Sequence, residues 1–130
     1  MKVVNILIGA VVVVVAVIVI AIATKHRSDL VSDKNACVNN SLSASASGQC
    51  VSDLQTMLNW SLYGIDGPNY EKVTGQFTTG TTAEVKQFQS SNSLPDSGTA
   101  DQSTWQKLCG DGSDAPASWT TAAKNAGCVI

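Results

Sequence analysis

Apolar residues are distributed along this chain in two different ways. Residues 3–23 carry no charge and one polar interruption, Asn5, and the block 11–20 is almost wholly β-branched. About twenty helical residues cross the roughly 30 Å hydrocarbon core of a bilayer, so this run predicts a transmembrane helix. Beyond it the apolar positions become sparse and periodic. Residues 25–41 read as a stalk and entry loop, continued by a Ser- and Ala-rich stretch up to Gly48. Val51, Leu54, Met57 and Leu58 then recur at i, i+3, i+6 and i+7, which predicts a helix over 50–60 with Ser47 or Ser52 as its cap. Residues 61–79 hold Gly64, Gly67, Pro68 and Gly75 without a lasting period and read as a long loop, with Phe77 as a lone apolar plug. Val85 and Phe88, supported by Ala83, predict a second helix over 81–91, capped by Thr79 or Thr81, with Glu84 in its first turn where the helix dipole favours an acid. A third helix starts at Asp101 or Ser103 and runs through Trp105 and Leu108 to Cys109, where Gly110 stops it. Pro116 and residues 119–126 predict a last helical turn or two, closed by Gly127.

The N-terminal run admits a second reading. Ala21-Ile22-Ala23 has the small-x-small shape of a signal-peptidase site, and Lys2 makes a short basic n-region. An apolar stretch of this length, followed at once by Lys25-His26-Arg27, favours an uncleaved anchor over 1–24. Lys25 and Arg27 outweigh Lys2, which would keep the following domain in the cytoplasm. The cysteines argue the opposite. Cys37, Cys50, Cys109 and Cys128 include no Cys-x-x-Cys pair, and the only His stands at position 26, so two disulfides are expected rather than a metal site. Disulfides require an oxidising compartment, which places the domain outside the cytoplasmic membrane. Four cysteines allow three connectivities. The nested pattern, Cys50–Cys109 with Cys37–Cys128, is favoured because closing a loop of about sixty residues is worth roughly 4 kcal/mol in the chain-entropy model. The sequential pattern, Cys37–Cys50 with Cys109–Cys128, is its main rival.

Charge narrows the partners. From residue 28 onward five Lys face ten Asp or Glu, a net of −5. Nucleic acid is excluded as a partner on this count, since phosphate binding draws on clustered Lys and Arg, and anionic wall polymers are disfavoured. No nucleophile–base pair is visible, and Asp66 and Glu71, near in sequence, read as solvated loop acids rather than a glycosidase dyad. Neither catalytic residues nor a cofactor are expected.

Between Leu42 and Leu108 the chain resembles the type 1 peptidoglycan-binding domain, a three-helix module of bacterial wall hydrolases and wall-associated proteins. The resemblance runs through Leu42, Gly48, Val51, Leu54-Gln55 and Leu58-Asn59, then Gly75, Phe77 and Thr81, then Val85, Phe88-Gln89 and Leu94, and finally Gly98, Thr104-Trp105 and Leu108. The family's Asp-Gly turns appear here as Thr74-Gly75 and Ser97-Gly98, and Ser45, Thr78 and Asp101 stand where glycines are usual. The four cysteines are an addition to the pattern.

Together with the apolar run and the cysteines, the resemblance implies an all-α fold: an N-terminal transmembrane helix, then a small three-helix peptidoglycan-binding-like domain over 42–109 stapled by two disulfides, and an extension over 110–130 tied by one of them. The same readings together imply non-catalytic binding of peptidoglycan by a membrane-tethered, extracytoplasmic domain on a single-pass protein of the bacterial cytoplasmic membrane, with the bilayer engaged through 3–23. A glycan or stem-peptide site needs aromatic platforms with amides around them. The candidates are Trp60, Tyr63, Asn69 and Tyr70 after the first helix, with the amides Gln55, Asn59 and Gln87. Two alternatives stand beside this reading. One is a pilin-like filament subunit that assembles as a homo-oligomer through the hydrophobic helix, and the other is a secreted wall-associated factor released after Ala23.

Overall fold

The computed structural model describes residues 36–64, 67 and 70–130. The expected membrane anchor over 3–23, with Asp66 and Asn69, lies outside the described residues. Among those described, no helix is long and apolar enough to cross a membrane.

Four α-helices form the domain: α1 Gln49–Tyr63, α2 Thr79–Ser91, α3 Gln102–Gly110 and α4 Ala117–Ala126, preceded by a 3₁₀ turn at Cys37–Asn39. The apolar stripe Val51, Leu54, Met57 and Leu58 puts α1 at the centre, in contact with α2, α3 and α4. Val85 and Phe88 of α2, Trp105 and Leu108 of α3, and the loop residues Phe77 and Ala100 complete the same core. Two isolated antiparallel bridges, Leu42 with Ala100 and Ser47 with Gln76, hold the entry segment against the turns that precede α3 and α2. Trp105 Nε1, otherwise stranded in the core, donates to the carbonyl of Asn40 at 3.1 Å.

Helix starts differ from expectation in an instructive way. Neither Ser47 nor Ser52 caps α1, whose N-cap is Gly48 at φ +111° with no side-chain bond. Thr78 caps α2 in a box with Thr81: each hydroxyl accepts from the other residue's backbone N–H, at 3.0 and 3.3 Å. Asp101 caps α3, accepting from Thr104 N at 2.9 Å and from the Ser103 hydroxyl at 2.7 Å, and these bonds hold its carboxyl below the usual range. Because α2 begins at Thr79, Glu84 sits past its first turn and is buried, while Ala83 faces solvent. The inward face is Thr81, Glu84, Val85, Phe88 and Gln89.

The C-terminal segment contributes a full element to the core. Trp119, Ala122, Ala123 and Ala126 follow i, i+3, i+4 and i+7, all are buried, and α4 packs along α1. Gly127 ends the helix in the left-handed region, at φ +93°, where a Cβ would come within 2.5 Å of Ala36.

The disulfides are sequential, Cys37–Cys50 and Cys109–Cys128, each with Cα atoms 5.4 Å apart. This corrects the nested pairing Cys50–Cys109 and Cys37–Cys128. Loop-closure entropy changes by only about 0.6 kcal/mol per doubling of loop length, so it discriminates weakly between pairings. Placement decides instead: the 3₁₀ turn sets Cys37 beside the start of α1, and the cap after α4 sets Cys128 beside the end of α3.

One stability effect follows from this packing. Trp119→Ala is expected to cost about 3–5 kcal/mol, read as a lower urea midpoint of the oxidised protein. A merely tethered tail would lose nothing on that change.

Candidate functional site

Gln55 and Asn59, chosen as ligand contacts, are consumed inside the protein. Gln55 is fully buried, accepts at Oε1 from Thr74 N (2.9 Å) and Gly75 N (3.0 Å), and donates from Nε2 to Gln76 O and Thr81 Oγ1, both at 2.9 Å. Asn59 holds Glu71 by both backbone groups: its Nδ2 donates to the carbonyl at 2.8 Å and its Oδ1 accepts from the N–H at 3.0 Å. The two amides bind the loop after α1 back onto α1. Trp60 is half-buried against the core.

The remaining candidates converge on one surface. The Tyr63 and Tyr70 rings lie 6.3 Å apart, centroid to centroid, tilted by 51°. The Tyr63 hydroxyl reaches Gln87 Oε1 at 3.5 Å, and the Tyr70 hydroxyl donates to the Gly64 carbonyl. Gln87 is exposed, and Tyr70 is 43% exposed. An aromatic pair with a free amide edge is thus presented where the end of α1 meets the flank of α2.

Beside it stand two acids, Glu71, expected to be a solvated loop acid, and Glu84, expected in the first turn of its helix. The Glu71 carboxylate accepts from Thr78 Oγ1 at 2.8 Å and rests against Gly80, where a Cβ would come within 2.4 Å of it. Glu84 is 5% exposed, and one of its carboxylate oxygens is buried with no hydrogen-bond partner. Burial first, and the Glu71 charge second, push Glu84 up to about 7. Burial and both carboxylates also push the Tyr63 phenol upward. A sequence signal for Glu84 does exist, since it falls on the inward face defined by Thr81, Val85 and Phe88. Among the described residues no group of three or more His, Cys, Asp or Glu could hold a metal ion.

Apart from this surface, a recess of about 520 Å³ opens between the end of α2 and α3 and is lined by Asn92, Leu94, Ser103, Gln106, Lys107 and Asp111. It is polar and lacks an aromatic platform.

The raised Glu84 fixes a sign for the dependence of stability on pH. The folded chain holds this proton up to about 7, against an ordinary value of 4.5, so it binds more protons than the unfolded chain between those values. Stability therefore falls as pH rises through that window, by no more than about 3 kcal/mol. Glu84→Gln is expected to remove this slope and to raise the unfolding midpoint at pH 8, as measured by denaturant titration at pH 5 and pH 8.

Against this geometry, no curated protein matches the chain. Residues 47–108 match the family model described as "Putative peptidoglycan binding domain", a match that spans α1 to α3 and supports a peptidoglycan-binding domain over that part of the chain.

Proposed function

We propose that this protein binds bacterial peptidoglycan without cleaving it, through an extracytoplasmic domain tethered to the cytoplasmic membrane by residues 3–23. The observation that carries the reading is the coincidence of the family match over 47–108 with helices α1–α3 of the folded domain. The two disulfides support an oxidising compartment. The uncharged run over 3–23 supports the tether. Non-catalytic action is supported by the absence of free cysteines and by the position of the only His at 26, beside the apolar run.

The surface best suited to the ligand is the Tyr63–Tyr70 pair with Gln87. Sugar rings and peptide stems have apolar faces that stack on aromatic rings, and hydroxyls and amides that bond to a side-chain amide. Neither tyrosine belongs to the buried core, so their truncation removes contact area without opening it.

Detergent-solubilised full chain is expected to sediment with purified insoluble peptidoglycan. Tyr63→Ala/Tyr70→Ala should weaken retention about tenfold, the equivalent of roughly 1.4 kcal/mol, while Asn92→Ala/Gln106→Ala in the recess between α2 and α3 leaves it unchanged. The reverse pattern would move the site to the recess between α2 and α3, and no sedimentation of the unaltered protein would overturn the reading.

A further inference from the structure

The two acids beside the tyrosines have no cationic partner among the described residues. Among the described residues, neither Glu71 nor Glu84 forms an ion pair with a lysine. Their positions are nevertheless fixed. Asn59 pins the Glu71 backbone on both sides, Thr78 bonds its carboxylate, and Gly80 leaves the space that the carboxylate fills. Glu84 lies behind, nearly fully buried, with an oxygen that no protein donor reaches. Two like charges held close in a partly dry setting repel each other, and an external cation on Glu71 relieves that repulsion.

The chemistry of that cation is restricted. Two carboxylates and a threonine hydroxyl fall short of the six to eight oxygens that calcium takes. A primary ammonium, with three N–H donors, suits one half-buried carboxylate backed by a second charge. Tyr63 adds an aromatic ring beside the acids, which favours a cation on an alkyl stem. Glu71 is half-exposed and open to such a group, whereas Glu84 acts through space.

We infer that Glu71, backed by Glu84 and flanked by Tyr63, is a subsite for the free primary amine of a diamino residue in the peptidoglycan stem peptide. This rests on the peptidoglycan-binding reading and names which part of the polymer the site takes. The charged or titratable groups that face Glu84 are Glu71 from the loop and Tyr63 from α1. Both favour a positive ligand.

The test compares the full chain on three insoluble substrates: intact peptidoglycan, peptidoglycan whose amines are acetylated with acetic anhydride, and glycan strands stripped of stem peptides by an amidase. Acetylation should weaken retention of the unaltered protein about tenfold, and so should stripping. Glu71→Gln should bind intact peptidoglycan about tenfold more weakly and lose nothing further on acetylation. Glu84→Gln, which keeps the shape of the core, should show a smaller loss of the same kind. Equal binding to intact and acetylated material would overturn the subsite while leaving peptidoglycan binding standing. An acetylation effect undiminished in Glu71→Gln would place the amine elsewhere. Full binding to stripped strands that is lost on their acetylation would give the amine to the sugar and overturn the stem-peptide assignment. No binding to intact peptidoglycan would overturn this inference together with the reading beneath it.

Discussion

Two buried glutamine amides set the course of the chain. Gln55 on α1 accepts from the N–H groups around Gly75 and donates to Thr81, the third residue of α2. Gln89 on α2 repeats the device: its Oε1 accepts from Gly98 N at 3.0 Å, and its Nε2 donates to Thr99 O at 2.8 Å and Thr104 Oγ1 at 3.0 Å, the third residue of α3. In each case the glycine has a positive φ, at +70° and +74°, and stands three residues before the capping side chain, Thr78 or Asp101. One side chain in the middle of a helix thus satisfies the turn that follows and orients the start of the next helix. A buried primary amide left without these partners would cost the desolvation of each group, so the helix and its downstream turn form together or not at all. The two isolated bridges dock on the residues after the same glycines, Gln76 and Ala100, so the entry segment also depends on these turns.

This dependence explains what the sequence does and does not disclose. Helices α1, α2 and α3 are readable because their apolar residues recur at helical spacing, and Asp101 is recognisable as a cap, whereas among the neighbouring threonines Thr79 and Thr81 look as suitable as Thr78, which takes the role. The stripe Trp119, Ala122, Ala123 and Ala126 is equally periodic, yet three alanines give little hydrophobic contrast, so α4 looks like a turn or two until its packing on α1 is seen. The bonds of Gln55 reach 19 to 26 residues along the chain. No local pattern encodes contacts of that range, and an amide on a helix is indistinguishable from a surface amide until its turn folds onto it. Gln55 and Asn59 were natural candidates for a ligand for the same reason that the fold uses them, because a side-chain amide bonds donors and acceptors at once.

The candidate surface shows the same division. Tyr63, Tyr70 and Gln87 come together as their chemistry suggests, whereas Glu71 and Glu84 are seen as a pair only once Asn59 has fixed the loop. Glu84 replaces what would be an apolar residue on the inward face of α2, at a cost in stability that rises with pH. An alanine or leucine there would pack without that cost. A destabilising acid beside a half-exposed acid and an aromatic pair is the kind of conflict between folding and chemistry that marks functional sites.

The placement of the cross-links sharpens this contrast. Cys37–Cys50 ties the entry segment to the first turn of α1, and Cys109–Cys128 ties the end of α3 to the segment after α4. Covalent closure therefore secures the entry and C-terminal segments, while the loop between α1 and α2 carries no cross-link and is secured by hydrogen bonds, among them those of Asn59 at Glu71 and of Gln55 at Thr74 and Gly75. A cationic group that engages Glu71 acts on a residue whose backbone is already clamped, so little ordering entropy opposes it. Rigidity at this point comes from α1 itself, because the residues that bind the loop sit one helical turn apart on the same helix that carries the core.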